Sequence, residues 1–111
     1  GIEGLAEEEN LDGISEEQLA TLSARAVPEP AGAVRGGPNL TNDARLDVPT
    51  VVIATAFTSD QYKEAVEAGY TFIAGLAELR DLTYVDLPTS HWPMWSKPKE
   101  LADILADLAE V

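Results

Sequence analysis

The chain has no cysteine, a single histidine and few basic residues. The absence of cysteine excludes disulfides, thiolate metal ligands and cysteine nucleophiles. One histidine cannot form a zinc site that depends on several imidazoles, so we expect neither a metal nor a cofactor. Lysine and arginine together number seven against 20 acidic residues, which gives a net charge of −13 and an isoelectric point near 4.1.

This acidity argues against two classes of partner. Such a surface repels the phosphates of nucleic acid and the anionic face of a membrane. The sequence has no apolar run near the ~20 residues of a membrane span and no secretory signal pattern. We therefore expect no nucleic-acid or membrane partner and a cytoplasmic location, and we attribute the acidity to solubility rather than to a specific cationic partner.

Residues 1–47 predict an acidic lead-in, a cap-like helix and an extended linker. Ser15 and Gln18 have the spacing of a capping box, and leucines at helical spacing follow them. Pro28 must end that helix. The segment Val27–Leu40 contains several prolines and glycines without periodicity, so we expect it to be extended.

Residues 48–111 predict a β-α-β-α unit, which places the protein in the mixed α/β class. A β-branched run without polar alternation indicates a strand covered on both faces. Amphipathic spacing predicts a following helix, which Gly69 and Gly75 weaken or split. A right-handed crossover would make the two strands parallel. The predicted elements are a strand at Val51–Phe57, a helix at Gln61–Leu79, a strand at Leu82–Leu87 and a helix at Pro98–Leu108, with Ser96 and Pro98 opening the last helix.

His91 follows the second predicted strand, on the loop before the last helix. Ligands of open α/β sheets bind beyond the carboxyl ends of parallel strands. A neutral imidazole there is suited to take a proton from a hydroxyl and to return it to a leaving group. The alternative interpretation is a loop histidine that only hydrogen-bonds its neighbours or water.

The loop Thr89–Trp95 reads Thr-Ser-His-Trp-Pro-Met-Trp and leads into the helix pattern Lys-Pro-Lys-Glu-Leu-Ala. Together with the strand Val51–Phe57, it resembles the C-terminal half of the α/β-hydrolase family. The resemblance implies a partial α/β-hydrolase-like fold behind a helical and irregular cap-like segment. It also implies that His91 is the general base of a Ser-His-acid triad that hydrolyses an ester or related acyl bond.

The resemblance suggests further site residues, each with a structural alternative. Asp60, after the first strand, is the candidate triad acid, although Thr58 to Asp60 also suit a helix N-terminus. In some family members the acid lies on an earlier strand, which this sequence does not contain. Trp92 and Met94 are candidates for an apolar substrate pocket, or they anchor the loop, which is the role we expect for Trp95.

The nucleophile of such a triad is missing, because the sequence contains no Gly-x-Ser-x-Gly turn and no glycine-rich oxyanion loop. We therefore expect the chain alone to have no catalytic activity. We expect it to act on a small ester or acyl substrate only when the missing part of the enzyme is present. The alternative function is a non-catalytic interaction module. Because two strands leave unpaired edges, we expect either a homodimer with a continuous sheet or a complex with the missing N-terminal half of the hydrolase.

Overall fold

Short helices and one small sheet make up the computed structural model, which describes residues 11–110. The helices are α1 Glu16–Arg25, α2 Ala31–Arg35, α3 Ser59–Ala68, α4 Ala74–Glu78, α5 Pro93–Ser96 and α6 Pro98–Ala109. The strands are β1 Thr50–Ala54 and β2 Leu82–Asp86, and 3₁₀ turns cover Asp43–Asp47 and Thr71–Ile73. The mixed α/β class is thereby confirmed. Most of the predicted acidic lead-in lies outside the described residues.

The first helix begins where the sequence predicts. The Ser15 hydroxyl accepts a hydrogen bond from the Gln18 backbone N–H at 3.1 Å, and the Gln18 side chain accepts one from the Ser15 N–H at 3.0 Å. This reciprocal pair satisfies two of the N–H groups that a helix start leaves without partners. Helix α1 ends at Arg25, before Pro28.

The linker prediction for Val27–Leu40 is wrong in its middle, where the short helix α2 forms. Pro30 precedes this helix with φ −58°, which suits a helix start, and the Gly36 N–H donates to the Gly32 carbonyl at 2.9 Å. Val34 in α2 is 72% exposed, so this helix adds nothing to the core. The glycines and prolines that suggested an extended chain also permit one helical turn.

The two strands are parallel, with Thr50 opposite Leu82 and Ala54 opposite Asp86. Strand β1 is shorter than predicted, because the chain turns after Ala54 toward a new helix start and leaves Phe57 56% exposed. The prediction that this strand is covered on both faces is also wrong. Among the described residues of β1, only Ala54 is buried, since a two-stranded sheet has few neighbours to cover it.

The predicted helix Gln61–Leu79 is broken in the structure. Gly69 ends α3 in the left-handed region at φ 79°, where a side chain is disfavoured, and a 3₁₀ turn separates α3 from α4. Gly75, the second predicted break, lies within α4. Helix α3 starts at Ser59, two residues earlier than predicted, because Thr58 forms a capping box with Gln61.

Helix α6 begins at Pro98, as predicted, and ends at Ala109. Ser96, which we expected to open this helix, instead ends α5. On the apolar face of α6, Leu105 is 52% exposed, whereas Leu101, Ile104 and Leu108 are partly buried. The buried apolar residues of the described chain are few: Leu46, Ala54, Ile73 and Leu87.

Candidate functional site

His91 lies on an exposed bend beyond the carboxyl end of β2, as predicted. Its ring contacts the Trp92 ring edge-on, with the centroids 6.1 Å apart and the planes at 79°. An exposed imidazole at the carboxyl edge of a parallel sheet can reach a reacting group outside this chain. This position makes the ring accessible, whereas a general base must also lie within hydrogen-bond reach of the proton that it takes.

The loop that carries His91 is attached to the end of β1. The Leu87 N–H donates to the Ala54 carbonyl at 2.8 Å, and the Thr89 N–H donates to the Thr55 carbonyl at 3.3 Å. The first bond completes the parallel ladder at the last residue of β1, and the second joins the loop to the residue that follows β1. The loop therefore leaves the sheet in a defined direction, two residues before His91.

Three hydroxyls fix the rest of the loop. Ser96 Oγ lies 2.6 Å from Thr89 Oγ1, accepts from Ser90 Oγ at 3.4 Å and donates to the Trp92 carbonyl at 3.1 Å. Ser90 Oγ also accepts from the Trp92 backbone N–H at 3.1 Å. With two acceptor contacts and one donor contact, the Ser96 hydroxyl uses its full hydrogen-bonding capacity. We call Thr89, Ser90 and Ser96 the hydroxyl cluster.

Ser90, although next to His91 in sequence, cannot be the missing nucleophile. Its relative exposure is 0%, and its hydroxyl is held within the hydroxyl cluster. A nucleophilic serine must be accessible to substrate and hydrogen-bonded to its base. Ser90 instead shapes the bend that exposes His91.

Asp60 is exposed in the first turn of α3. The Thr58 hydroxyl accepts from the Gln61 N–H at 3.1 Å and so caps this helix. An acidic side chain in a first helical turn is stabilised by the helix dipole, which accounts for Asp60 without catalysis. The structure thus places Asp60 at a helix N-terminus, which was its structural alternative, and its role as the triad acid stays a prediction.

Asp86, the last residue of β2, is a carboxylate that the sequence interpretation missed. Its two oxygens accept hydrogen bonds from the Ser59 backbone N–H at 2.8 Å and from the Ser59 hydroxyl at 2.7 Å. These two bonds, the hydroxyl contributing most, hold the pKa of Asp86 below its ordinary value of 3.8. Desolvation opposes them with a smaller effect, and the nearby Lys63 charge lowers the pKa by the smallest amount. The feature of the sequence that could have identified Asp86 is its position, an acidic residue at the end of an apolar strand.

A cleft beside the loop contains one of the two predicted pocket residues. Met94, 51% exposed, lines a volume of about 360 Å³ together with Trp95 and residues of α1. Trp92 lies outside this lining and is partly buried, and its Nε1–H is buried without a partner among residues 11–110. The structure therefore brings Met94, but not Trp92, to an open cleft.

Helix α1 forms the opposite wall of this cleft. The Gln18 side-chain amide donates to the Trp95 carbonyl at 3.1 Å. Just before α1, a Cβ on Gly13 would lie 3.0 Å from Ser96 Cβ, so the chain there passes directly against the hydroxyl cluster. The cap-like segment is thus packed on the loop that carries His91.

Within residues 11–110, no group of histidine and acidic residues could hold a metal ion, and no helix has the length and apolar character to cross a membrane. Comparison of the chain with family models, with curated proteins and with solved structures finds no match. Inference about function therefore depends on the chemistry and position of the site residues.

Proposed function

We propose that this chain is the C-terminal portion of an α/β-hydrolase and contributes the general base, His91, to a site whose nucleophilic serine lies on another polypeptide segment. The observation that carries this proposal is the position of His91, exposed beyond β2 on a loop held by the hydroxyl cluster. In the completed site, His91 takes the serine proton during attack and returns it to the leaving group. The substrate is an ester or related acyl compound.

The cleft between α1 and the His91 loop, which is lined by Met94 but not by His91, supports a place for part of that substrate. The cleft has both apolar and polar walls, with Met94 and Trp95 on one side and Gln18 and Thr21 on the other. Pockets that combine an apolar lining with a few polar groups orient small ligands. In this proposal Asp60 stays the candidate partner of the imidazole, because Asp86 is already engaged by Ser59.

The test is a complementation assay of ester hydrolysis. The chain is produced alone, and together with the polypeptide encoded directly upstream of it, and turnover of p-nitrophenyl acetate is measured. We expect no turnover above background for the chain alone, since nucleophile and oxyanion donors are absent from it. We expect turnover by the pair, lost by about 10³-fold or more in His91→Gln, with Lys99→Gln as the surface control.

Two results would contradict the proposal. One is an active pair in which His91→Gln keeps the wild-type rate of turnover, which would exclude His91 as the general base. The other is an upstream region without a Gly-x-Ser-x-Gly segment.

Asp60→Asn separates the two possible roles of Asp60, because loss of a triad acid lowers turnover whereas loss of a helix-dipole contact lowers only stability.

The second candidate function, an interaction module that dimerises through its sheet, is favoured by the free edge of β1. The Thr50 N–H donates to the Asp81 carbonyl, and the Ala54 carbonyl accepts from Leu87. In a parallel ladder, alternate residues face the partner strand, so the backbone groups of Val51 and Ile53 point away from β2. Such an uncharged edge is a template for another strand.

Two matched proline variants test this candidate by sedimentation at micromolar concentrations. Val51→Pro removes an N–H from the free edge of β1, and Leu82→Pro removes one from the opposite edge of the sheet. Dimerisation through β1 requires self-association that Val51→Pro abolishes and Leu82→Pro preserves. A monomer at all concentrations excludes this function.

A further inference from the structure

The cleft between α1 and the His91 loop contains an acidic side chain that the proposed reaction does not use. Among the described residues, Glu17 is the one charged member of its lining, which otherwise consists of Gln18, Thr21, Met94, Trp95 and Pro98. Lys97 and Lys99 flank Pro98 in sequence but do not line the cleft, and Lys99 is paired with Asp103 at 3.1 Å. The charge of the cleft lining is therefore negative.

The fold of α1 leaves the Glu17 carboxylate accessible to a ligand. Glu17 and Thr21 are one helical turn apart and Gln18 follows Glu17, so the three share the face of α1 that meets the loop at Trp95. The Thr21 hydroxyl donates to the Glu17 backbone carbonyl at 3.1 Å, not to the carboxylate. Glu17 is exposed, and within residues 11–110 its carboxylate forms no ion pair.

The other wall of the cleft presents the side chains that suit an organic cation. Met94 is 51% exposed and Trp95 is partly accessible. Among aromatic side chains, an indole attracts cations most strongly, and a flexible thioether adapts to an alkyl chain. The volume of about 360 Å³ lies within the range of small-molecule sites. A carboxylate, an indole and a thioether around one such space favour an alkyl chain that carries a positive charge.

We propose that this cleft binds an ammonium group on a short alkyl chain, with Glu17 as the counter-ion and Trp95 as the aromatic contact. One consequence rests on the proposed function: the substrate of the completed hydrolase is an ester or acyl compound that carries such a cation. Because His91 does not line the cleft, the cation lies away from the bond that is cleaved. An anionic substrate is disfavoured by Glu17 and by the net charge of −13.

The first experiment titrates the full chain with three small probes, butylammonium, butanol and butyrate, and follows ¹H–¹⁵N spectra. We expect butylammonium to shift the backbone amides of residues 17–21 and the indole N–H of Trp95. Butanol should bind about fivefold more weakly, because it lacks the ion pair and the cation–π contact. We expect butyrate to produce no shifts, and added salt to weaken butylammonium.

Matched variants distinguish the cleft from general attraction to an acidic protein. Glu17→Gln should weaken butylammonium by about fivefold, to the level of butanol. Glu16→Gln removes the same charge from the neighbouring exposed position in the first turn of α1, which does not line the cleft, and should change the affinity by less than about twofold. Equal effects of the two variants, or equal binding of butylammonium and butanol, would overturn the cation site.

The second experiment assigns the cation to a substrate or to a lysine side chain of a partner. The chain with its upstream-encoded partner is assayed on p-nitrophenyl 6-aminohexanoate and on p-nitrophenyl heptanoate, which has a methyl group in place of the ammonium. We expect kcat/KM to be about fivefold higher for the ammonium ester, and Glu17→Gln but not Glu16→Gln to remove this preference.

The two experiments have separate outcomes. Butylammonium binding without a preference between the esters would assign the cleft to a lysine side chain and overturn the substrate assignment. An inactive pair would contradict the proposed function and, with it, the substrate assignment. The titration of the chain alone decides the cation site in either case.

Discussion

Ser96→Ala should destabilise the folded chain because it removes the centre of the hydroxyl cluster. The substitution deletes contacts to Thr89 at 2.6 Å, to Ser90 at 3.4 Å and to the Trp92 carbonyl at 3.1 Å. The Trp92 carbonyl keeps two partners, since the backbone N–H groups of Trp95 and Ser96 both donate to it at 3.0 Å. The cost therefore comes from the hydroxyls that lose Ser96.

Ser90 determines the size of the effect. Its hydroxyl is fully buried, so without Ser96 it cannot donate a hydrogen bond to solvent instead, whereas Thr89 is partly accessible. A buried hydrogen-bond donor left without a partner costs about 1–3 kcal/mol. We therefore expect Ser96→Ala to lower the free energy of unfolding by about 1 kcal/mol, the low end of that range, because the Ser90–Ser96 contact is long at 3.4 Å.

Urea unfolding followed by tryptophan fluorescence measures this change. With an ordinary urea dependence, the unfolding midpoint should fall by roughly 0.5 M. Ser23→Ala is the control, because Ser23 is an exposed residue of α1 and alanine is the better helix former. If both variants unfold at the wild-type midpoint, the hydroxyl cluster does not hold the loop and the defined position of His91 is refuted.

Two further changes test other parts of the account. Asp86→Asn should reduce the loss of stability in acid. Because folding lowers the pKa of Asp86, its carboxylate stabilises the protein at pH values above its ordinary pKa of 3.8. This stabilisation is lost as the pH falls through the lower pKa of the folded state. Unfolding midpoints between pH 2 and 5 measure it, and equal slopes for variant and wild type would contradict the Ser59 contact. Gly69→Ala should lower the free energy of unfolding by about 1 kcal/mol, measured by thermal unfolding. The φ of Gly69 is 79° and no atom lies within 4 Å of the added Cβ, so the cost is backbone strain alone. An unchanged unfolding midpoint would contradict this.

Local side-chain chemistry made several elements predictable from the sequence. The hydroxyl of Ser15 with Gln18 three residues later identifies the start of α1, and the β-branched run identifies the position of β1. The exposed loop of His91 followed from an apolar strand before it and a proline-initiated helix after it. Each of these predictions depends on residues that are close in sequence.

The errors arose where contacts distant in sequence decide the structure. Phe57 continues the apolar run of β1, yet pairing with the distant strand β2 ends at Ala54, opposite Asp86. The role of Asp86 depends on Ser59, 27 residues away, which no local pattern reveals. The same holds for the position of Met94 opposite α1, since the packing of that helix on the loop depends on the contact between Gln18 and Trp95.

The most direct test of the central claim is fluorophosphonate labelling of the chain together with its upstream-encoded partner, read by mass spectrometry. His91 is the proposed base, so the pair should be labelled on a serine of the partner, and His91→Ala should slow the labelling by about 10³-fold or more. The chain alone should not react. Labelling at the wild-type rate in His91→Ala, or labelling of a serine in this chain, would contradict the account.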